Sequence, residues 1–200
     1  DGMQGLLKRM HPETIEDVIA SIALYRPGPL ESGMDKTFVE CKKDPTLISY
    51  LHPRLENVLA NTYGSIVYQE QVMQIAQELS GYSLGEADLL RRAMGKKDFD
   101  EMERQKSRFV DGFLPHEDVS EQDEKKIGAE IFDLMAFFAG YGFNKSHSAA
   151  YGMISYQTGW LKAQYKPEYM AALMTVECGN AEKVQIFLKD CKNPKKDKDR

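Results

Sequence analysis

Two predicted helices are joined by Gly140-Tyr141-Gly142-Phe143-Asn144-Lys145-Ser146-His147-Ser148-Ala149-Ala150-Tyr151, the most informative stretch of the sequence. Apolar residues recur at helical spacing before it, at Ile127, Ile131, Leu134, Met135 and Phe138, and residues 146–165 form the next predicted helix. A helix that begins at this turn presents unpaired N–H groups and a partial positive charge. A lysine and two hydroxyls crowd the same end, so the sequence predicts a site for a phosphate.

Helical periodicity also dominates the rest of the chain. Further helices are predicted over about 15–25, 72–80, 84–94, 99–110, 167–178 and 181–191. Residues 31–62 are predicted to be a loop-rich segment with weak helices, and residues 65–68 are the best candidate for a strand. We therefore predict a mostly α, irregular multi-helix bundle of about eight helices with little or no β-sheet. Residues 1–192 form its one domain, and residues 193–200 form a solvated tail.

Composition narrows the class of protein. The 200 residues carry a formal net charge of −5 and are 42% hydrophobic, which suits a globular chain with a core. Three widely spaced cysteines favour a reducing compartment, so we expect a cytoplasmic protein without a disulfide framework. The sequence has no apolar run long enough for a membrane span and shows no signal peptide. Because it opens Asp1-Gly2 without Met, we expect a piece of a longer protein.

Four cations lie within seven residues at the end of a predicted helix: Arg91, Arg92, Lys96 and Lys97. An arginine offers a planar fork of donors that matches phosphate oxygens. Arg91 and Arg92 differ by about 100° around the helix axis, so we expect one to reach a ligand while the other pairs with Asp88. The structural alternative is a cation cluster that complements the helix dipole.

The turn itself supplies Asn144, Lys145, Ser146 and His147 as candidate ligand-binding residues. The pattern resembles a P-loop only superficially, because Asn144 stands where that motif requires glycine before the lysine. The structural alternative is an ordinary helix-turn-helix with Asn144 or Ser146 as the N-cap.

Arg26 precedes a stiff Pro27-Gly28-Pro29 corner, which predicts either a rigid helix end or a rigid mount that aims Arg26 at a ligand. The four histidines lack metal-ligand spacing, so no metal site is predicted. The sequence also offers no convincing catalytic pair.

Four blocks of this sequence resemble the bacterial replicative DNA polymerase III alpha subunits, the C family of DNA polymerases. The blocks are residues 24–30 (LYRPGPL), 68–73 (YQEQVM), 88–97 (DLLRRAMGKK) and 138–151 (FAGYGFNKSHSAAY). Their order and approximate spacing fit, and the resemblance extends from Gly5 to about Cys191.

The resemblance implies that residues 1–192 belong to the all-α fingers region of a DNA-directed DNA polymerase, a nucleotidyltransferase. It implies that Arg91, supported by Arg92, Lys96 and Lys97, binds the triphosphate of the incoming deoxynucleotide. Arg26 and the Asn144–His147 turn are expected to line the same pocket.

The resemblance also implies cofactors and partners. Mg²⁺ would serve the parent enzyme through palm aspartates outside this chain, so this piece would bind none and be inactive alone. The implied partners are the deoxynucleoside triphosphate, primer-template DNA, other domains of the same chain and replisome subunits, with no membrane. The alternative is a non-catalytic helical module that binds nucleic acid or a protein.

Overall fold

A computed structural model describes residues 2–96, 99–114, 121–140 and 142–192. These ranges contain twelve α-helices: α1 (Gly2–Met10), α2 (Ile15–Leu24), α3 (Pro27–Ser32), α4 (Met34–Lys43), α5 (Leu55–Leu59), α6 (Gln69–Ser80), α7 (Leu84–Lys96), α8 (Phe99–Asp111), α9 (Glu121–Ala139), α10 (Lys145–Gln164), α11 (Lys166–Val176) and α12 (Ala181–Cys191). Two single 3₁₀ turns lie at Pro45–Leu47 and Ala60–Thr62. The predicted mostly α class is confirmed.

The count of about eight helices was too low, because α1, α3 and α5 are too short to carry a full apolar stripe. Residues 31–62, predicted as loop-rich with weak helices, contain the ten-residue helix α4, whose Phe38 and Val39 are buried. The strand predicted over residues 65–68 is absent. That segment makes only one isolated parallel bridge, between Tyr68 and Phe143, because α6 begins at the next residue.

The first turn of α2 is held by a buried carboxylate. Asp17, only 2% exposed, accepts hydrogen bonds from the backbone N–H groups of Glu13 (2.9 Å) and Thr14 (3.1 Å). The Tyr63 hydroxyl donates to its other oxygen at 3.0 Å, and Lys42 Nζ lies 3.3 Å away. Burial alone would raise the pKa of Asp17, but these donors outweigh it and hold the pKa below its ordinary value.

The Arg26 corner ends one helix and starts another. Helix α2 ends at Leu24, Arg26 adopts an extended conformation, and Pro27 takes the first helical position of α3. Proline suits that position because its missing N–H would be unpaired there in any case.

Helices α1 to α9 and the start of α10 belong to a compact unit, Asp1–Gly152. One of its two apolar clusters joins α1, α2 and α4 to the segment before α6, through Leu6, Leu24, Phe38, Val67 and Tyr68. The other joins α5 to α9 through residues that include Ile75, Leu79, Leu90, Phe109 and Phe132. The segment before α6 is therefore packed on both sides.

Helix α10 approaches α2 closely at Gly152. A Cβ atom at this position would lie 2.8 Å from Cγ1 of Ile19, which is closer than carbon atoms can pack. Ser148, one turn earlier, is completely buried. Glycine is thus required for this contact, which fixes the first turns of α10 against α2.

The second compact unit is Met153–Arg200 and contains the rest of α10 with α11 and α12. Asn180 caps α12 by accepting the Lys183 N–H at 3.1 Å, as the sequence predicts, whereas Pro167 is the second residue of α11 and not the first. Lys162 pairs with Asp190. The predicted tail, residues 193–200, lies outside the described residues, and the single 1–192 domain stays a prediction.

In the ranges that the structure describes, no helix combines the length and apolarity needed to cross a membrane.

Helix α7 begins with the capping box that the sequence predicts. Glu86 accepts hydrogen bonds from the backbone N–H (2.8 Å) and hydroxyl (2.7 Å) of Ser83, while its own N–H points back at Ser83 Oγ at 3.4 Å. Arg108 pairs with its other oxygen at 2.7 Å. The Ser83 hydrogen bonds, aided by Arg108, lower the pKa of Glu86 to about 2.

Replacement of Asp17 by Ala should lower the free energy of unfolding by about 2–3 kcal/mol, because it leaves buried donors without an acceptor. Urea unfolding followed by circular dichroism at 222 nm measures the loss. Glu78→Ala, on the exposed face of α6, is the matched control and should change little. Equal losses in the two variants would contradict the role assigned to Asp17.

The capping box at Glu86 should make stability depend on pH in acid. The pKa of Glu86 in the folded protein lies below the ordinary value of 4.5. Its contribution to the free energy of unfolding is therefore complete above about pH 5 and is lost as the pH falls toward 2. The difference in melting temperature between the wild type and Glu86→Gln should therefore shrink over this range. A difference that stays constant from pH 6 to pH 2 would refute the assignment.

Candidate functional site

The turn before α10 is docked on the start of α6 by backbone hydrogen bonds. Phe143 donates its N–H to the Val67 carbonyl at 3.1 Å, and its own carbonyl accepts the Gln69 N–H at 3.0 Å. The Gln71 side chain turns back to accept the N–H groups of Val67 (2.8 Å) and Tyr68 (3.0 Å). The backbone groups at the buried start of α6 are thus hydrogen-bonded by the Gln71 side chain on one side and by the turn on the other.

A carboxylate lies at the N-terminus of α10, where the sequence predicts a phosphate. Glu70 accepts the backbone N–H of Lys145 at 2.9 Å and the side-chain amide of Asn144 at 2.9 Å. Asn144 in turn accepts the N–H of His147 at 2.9 Å, so Asn144 is the N-cap. The helix end therefore already holds an anion, and any added phosphate would meet side chains at this turn and not the first N–H.

Side chains of the turn contact both a carboxylate and aromatic rings. Lys145 Nζ is 3.3 Å from Glu16 and 5.4 Å from the centre of the Tyr68 ring. The His147 ring is edge-on to Phe143, with centroids 5.2 Å apart. Ser146 and His147 are exposed and accessible to a ligand.

Arg26 packs against this turn. Its guanidinium carbon is 3.7 Å from the centre of the Phe143 ring, which is a cation–π contact. Its Nε is buried and has no hydrogen-bond partner among the described residues. The Pro27 corner and the Phe143 ring together hold Arg26 against the turn, and a role of Arg26 toward a ligand stays a prediction.

Arg91 and Arg92 share one acid, whereas the sequence analysis expected only one of them to pair. Asp88 Oδ1 accepts the Nε and Nη2 of Arg91 at 3.0 and 2.7 Å, and Asp88 Oδ2 lies 2.8 Å from Arg92 Nε. On a helix surface, the residues three and four positions after Asp88 both lie next to it. The Asp88 carboxylate can therefore reach both arginines. Hydrogen bonding from Arg91 is the main cause that lowers the pKa of Asp88.

The structure brings Arg91, but not the whole cationic cluster, to the start of α6, on which the turn is docked. Arg91 Nη1 donates to the side-chain oxygen of Gln69 at 3.2 Å. Arg92 is 63% exposed, and Lys96 is exposed at the end of α7; within the described ranges neither makes a hydrogen bond to the turn. Lys97 lies outside the described residues.

Two residues without a predicted role, Gln69 and Glu70, contact the candidate site residues. Both lie in the first turn of α6, and they contact Arg91 and the start of α10 respectively. Their only signal was membership in the 68–73 block, which identifies a resemblance but not a contact.

The described residues do not assemble a metal site, because no three His, Cys, Asp or Glu side chains in these ranges lie together. The cysteines within them are free thiols, with Cys41 buried and Cys178 and Cys191 exposed.

Comparison with known proteins identifies matching families and relatives. The model of the bacterial DNA polymerase III alpha subunit finger domain matches residues 1–117. The DNA polymerase III subunit alpha of Vibrio cholerae is 52% identical over 199 residues, which cover 96% of this chain and 17% of the relative.

Other bacterial relatives are equally similar. The DNA polymerase III subunits alpha of Escherichia coli K12 and Caulobacter vibrioides are 53% and 54% identical, over 95% and 96% of this chain. This chain covers 16% of each of them, so it spans about a sixth of the length of the curated relatives it matches.

The role of Glu70 can be tested at the start of α10. In Glu70→Ala the Lys145 amide loses its acceptor, so its hydrogen exchange should become about tenfold faster or more. Exchange at single amides by NMR measures the change, with Glu78→Ala on the same helix as control. Unchanged protection at Lys145 would show that Glu70 does not hold this helix end.

Proposed function

Because this chain belongs to the family of bacterial DNA polymerase III alpha subunit finger domains, we propose that it binds the triphosphate of an incoming deoxynucleotide during template-directed DNA synthesis. The observation that carries the proposal is the Arg91 guanidinium, held in place by Asp88 and Gln69 while 28% of its side chain stays exposed.

The state of Arg91 suits recognition of a phosphate. Three of its N–H groups donate to Asp88 and Gln69, so its orientation is set before a ligand arrives. A guanidinium has five N–H groups, and the remaining two are available to phosphate oxygens. A donor that is already oriented does not pay for reorganisation when charge develops on the phosphates.

Residues of the neighbouring turn extend the proposed site. Arg26 lies on Phe143, and Lys145, Ser146 and His147 present polar atoms from the first turn of α10. Asn144 acts indirectly in this proposal, since its amide and carbonyl already bond Glu70 and His147. Arg92, Lys96 and Lys97 would add positive charge at the end of α7.

The proposed mechanism assigns this chain positioning and charge neutralisation. Oriented arginines would hold the triphosphate in line for attack and stabilise negative charge as the bond to pyrophosphate breaks. Magnesium ions held elsewhere in the longer polypeptide would supply Lewis-acid chemistry. The donor set described here does not fit such ions, so the 200-residue chain should be inactive alone.

Partners follow from the same proposal. Primer-template DNA, other domains of the longer chain and replisome subunits would surround the site in the cytoplasm. A helical module that merely binds the DNA backbone is the competing function. It would bind DNA with strong salt dependence and without regard to nucleotide.

Arg91→Met in the full-length polypeptide should reduce kcat/KM for nucleotide incorporation by the equivalent of about 2–4 kcal/mol, the cost typical of losing one oriented donor. Single-turnover incorporation of a matched deoxynucleotide on a primer-template measures the loss.

The matched control is Arg104→Met, which removes an exposed arginine of α8 that pairs with Glu101 at 2.8 Å in a similar way. Its kinetics should match the wild type. A reduction below about threefold for Arg91→Met would exclude a triphosphate role for Arg91 and favour the competing module.

A further inference from the structure

We infer that Gln69 is a positioning residue. It fixes the Arg91 guanidinium relative to the turn on which Arg26 packs, so that both cations engage one triphosphate. The inference rests on the proposed function of Arg91. It assigns a role to a neutral side chain that itself needs no contact with the nucleotide.

The connection between the two arginines runs through two residues. Arg91 Nη1 donates to Gln69 Oε1 at 3.2 Å, and the backbone N–H of Gln69 donates to Phe143 O at 3.0 Å. The Phe143 ring then carries the Arg26 guanidinium at 3.7 Å. Each step is a direct contact, so the distance between the two cations is set by short, specific interactions.

The side chain of Gln69 is also held against the turn. The glutamine stem packs beside Gly142: a Cβ atom built at Gly142 would lie 3.4 Å from Gln69 Cγ, an ordinary van der Waals distance. With the stem packed on Gly142 and the backbone bonded to Phe143, the side-chain oxygen that meets Arg91 has little freedom.

Gln69 complements Asp88 and does not duplicate it. Asp88 lies on α7 with Arg91 and bonds its Nε and Nη2, which orients the guanidinium only with respect to its own helix. Gln69 lies on α6 and bonds Nη1, so it alone among these contacts joins the guanidinium to the turn. A bidentate contact to phosphate requires both restraints, because the fork is planar and directional.

The start of α6 does not depend on the Gln69 side chain. Gln71 bonds the N–H groups of Val67 and Tyr68, and Glu70 bonds the start of α10. Loss of the Gln69 amide should therefore leave the fold intact and change mainly the orientation of Arg91.

The experiment compares three variants of the full-length polypeptide. Gln69→Met keeps the length of the side chain and removes the acceptor, Gln69→Glu keeps an acceptor, and Gln74→Met is the control on the exposed face of α6. Steady-state incorporation of each matched dNTP on a primer-template gives kcat and KM separately. Gln69→Met should raise KM about five- to tenfold with a smaller change in kcat, whereas the other two should stay within about twofold.

A double-mutant cycle separates positioning from general structural damage. In the Arg91→Met background, Gln69→Met should have no further effect, because there is no guanidinium left to orient. Additive effects would overturn the inference, as would a KM for Gln69→Met equal to that of the wild type.

The failure of the inference can be told from failure of the proposed function. A large loss in Arg91→Met with no effect of Gln69→Met overturns the inference alone. Unchanged kinetics in Arg91→Met overturns the proposed function and the inference with it. If Gln69→Met lowers the melting temperature, rescue of KM by Gln69→Glu still supports the inference, and failure of that rescue overturns it.

Discussion

The first turn of α6 is the constraint on which the site depends. Its backbone is hydrogen-bonded to Phe143, the Gln71 side chain accepts the N–H groups of Val67 and Tyr68 just before the helix, and Glu70 holds the start of α10. Buried backbone groups need partners, and this segment has apolar clusters on both sides, so it cannot turn to solvent for them. The turn and the start of α6 therefore hold each other in place. Arg91 contacts Gln69 of α6, and Arg26 contacts Phe143 of the turn.

The charged groups of the site are balanced locally. Asp88 serves two arginines, Glu70 serves an amide and a helix end, and Glu16 lies beside Lys145. Such pairing neutralises part of the positive charge and fixes the orientation of the Arg91 guanidinium. The chain carries a net charge of −5, so under the proposed function a triphosphate would be held by a few oriented donors and not by a basic surface.

Long periodic elements were predictable from the sequence, and contacts between them were not. The capping box at Ser83 and the cap at Asn180 are local patterns, so the sequence placed both correctly. The pairing of Arg91 with Gln69 joins residues 22 positions apart, and Glu70 reaches Lys145 over 75 positions. Local periodicity does not reveal contacts between residues so far apart in the sequence. The sequence therefore predicts a phosphate at the N-terminus of α10, where the Glu70 carboxylate lies in the structure.

The shared carboxylate at Asp88 has a consequence for how a ligand approaches. Two guanidinium groups and one carboxylate together carry a single net positive charge, so at a Debye length of about 8 Å they act like one lone cation. Such a trio would attract distant anions only weakly. Under the proposed function, discrimination among anions would then arise at short range, from hydrogen-bond geometry, and would survive at salt concentrations that abolish long-range attraction.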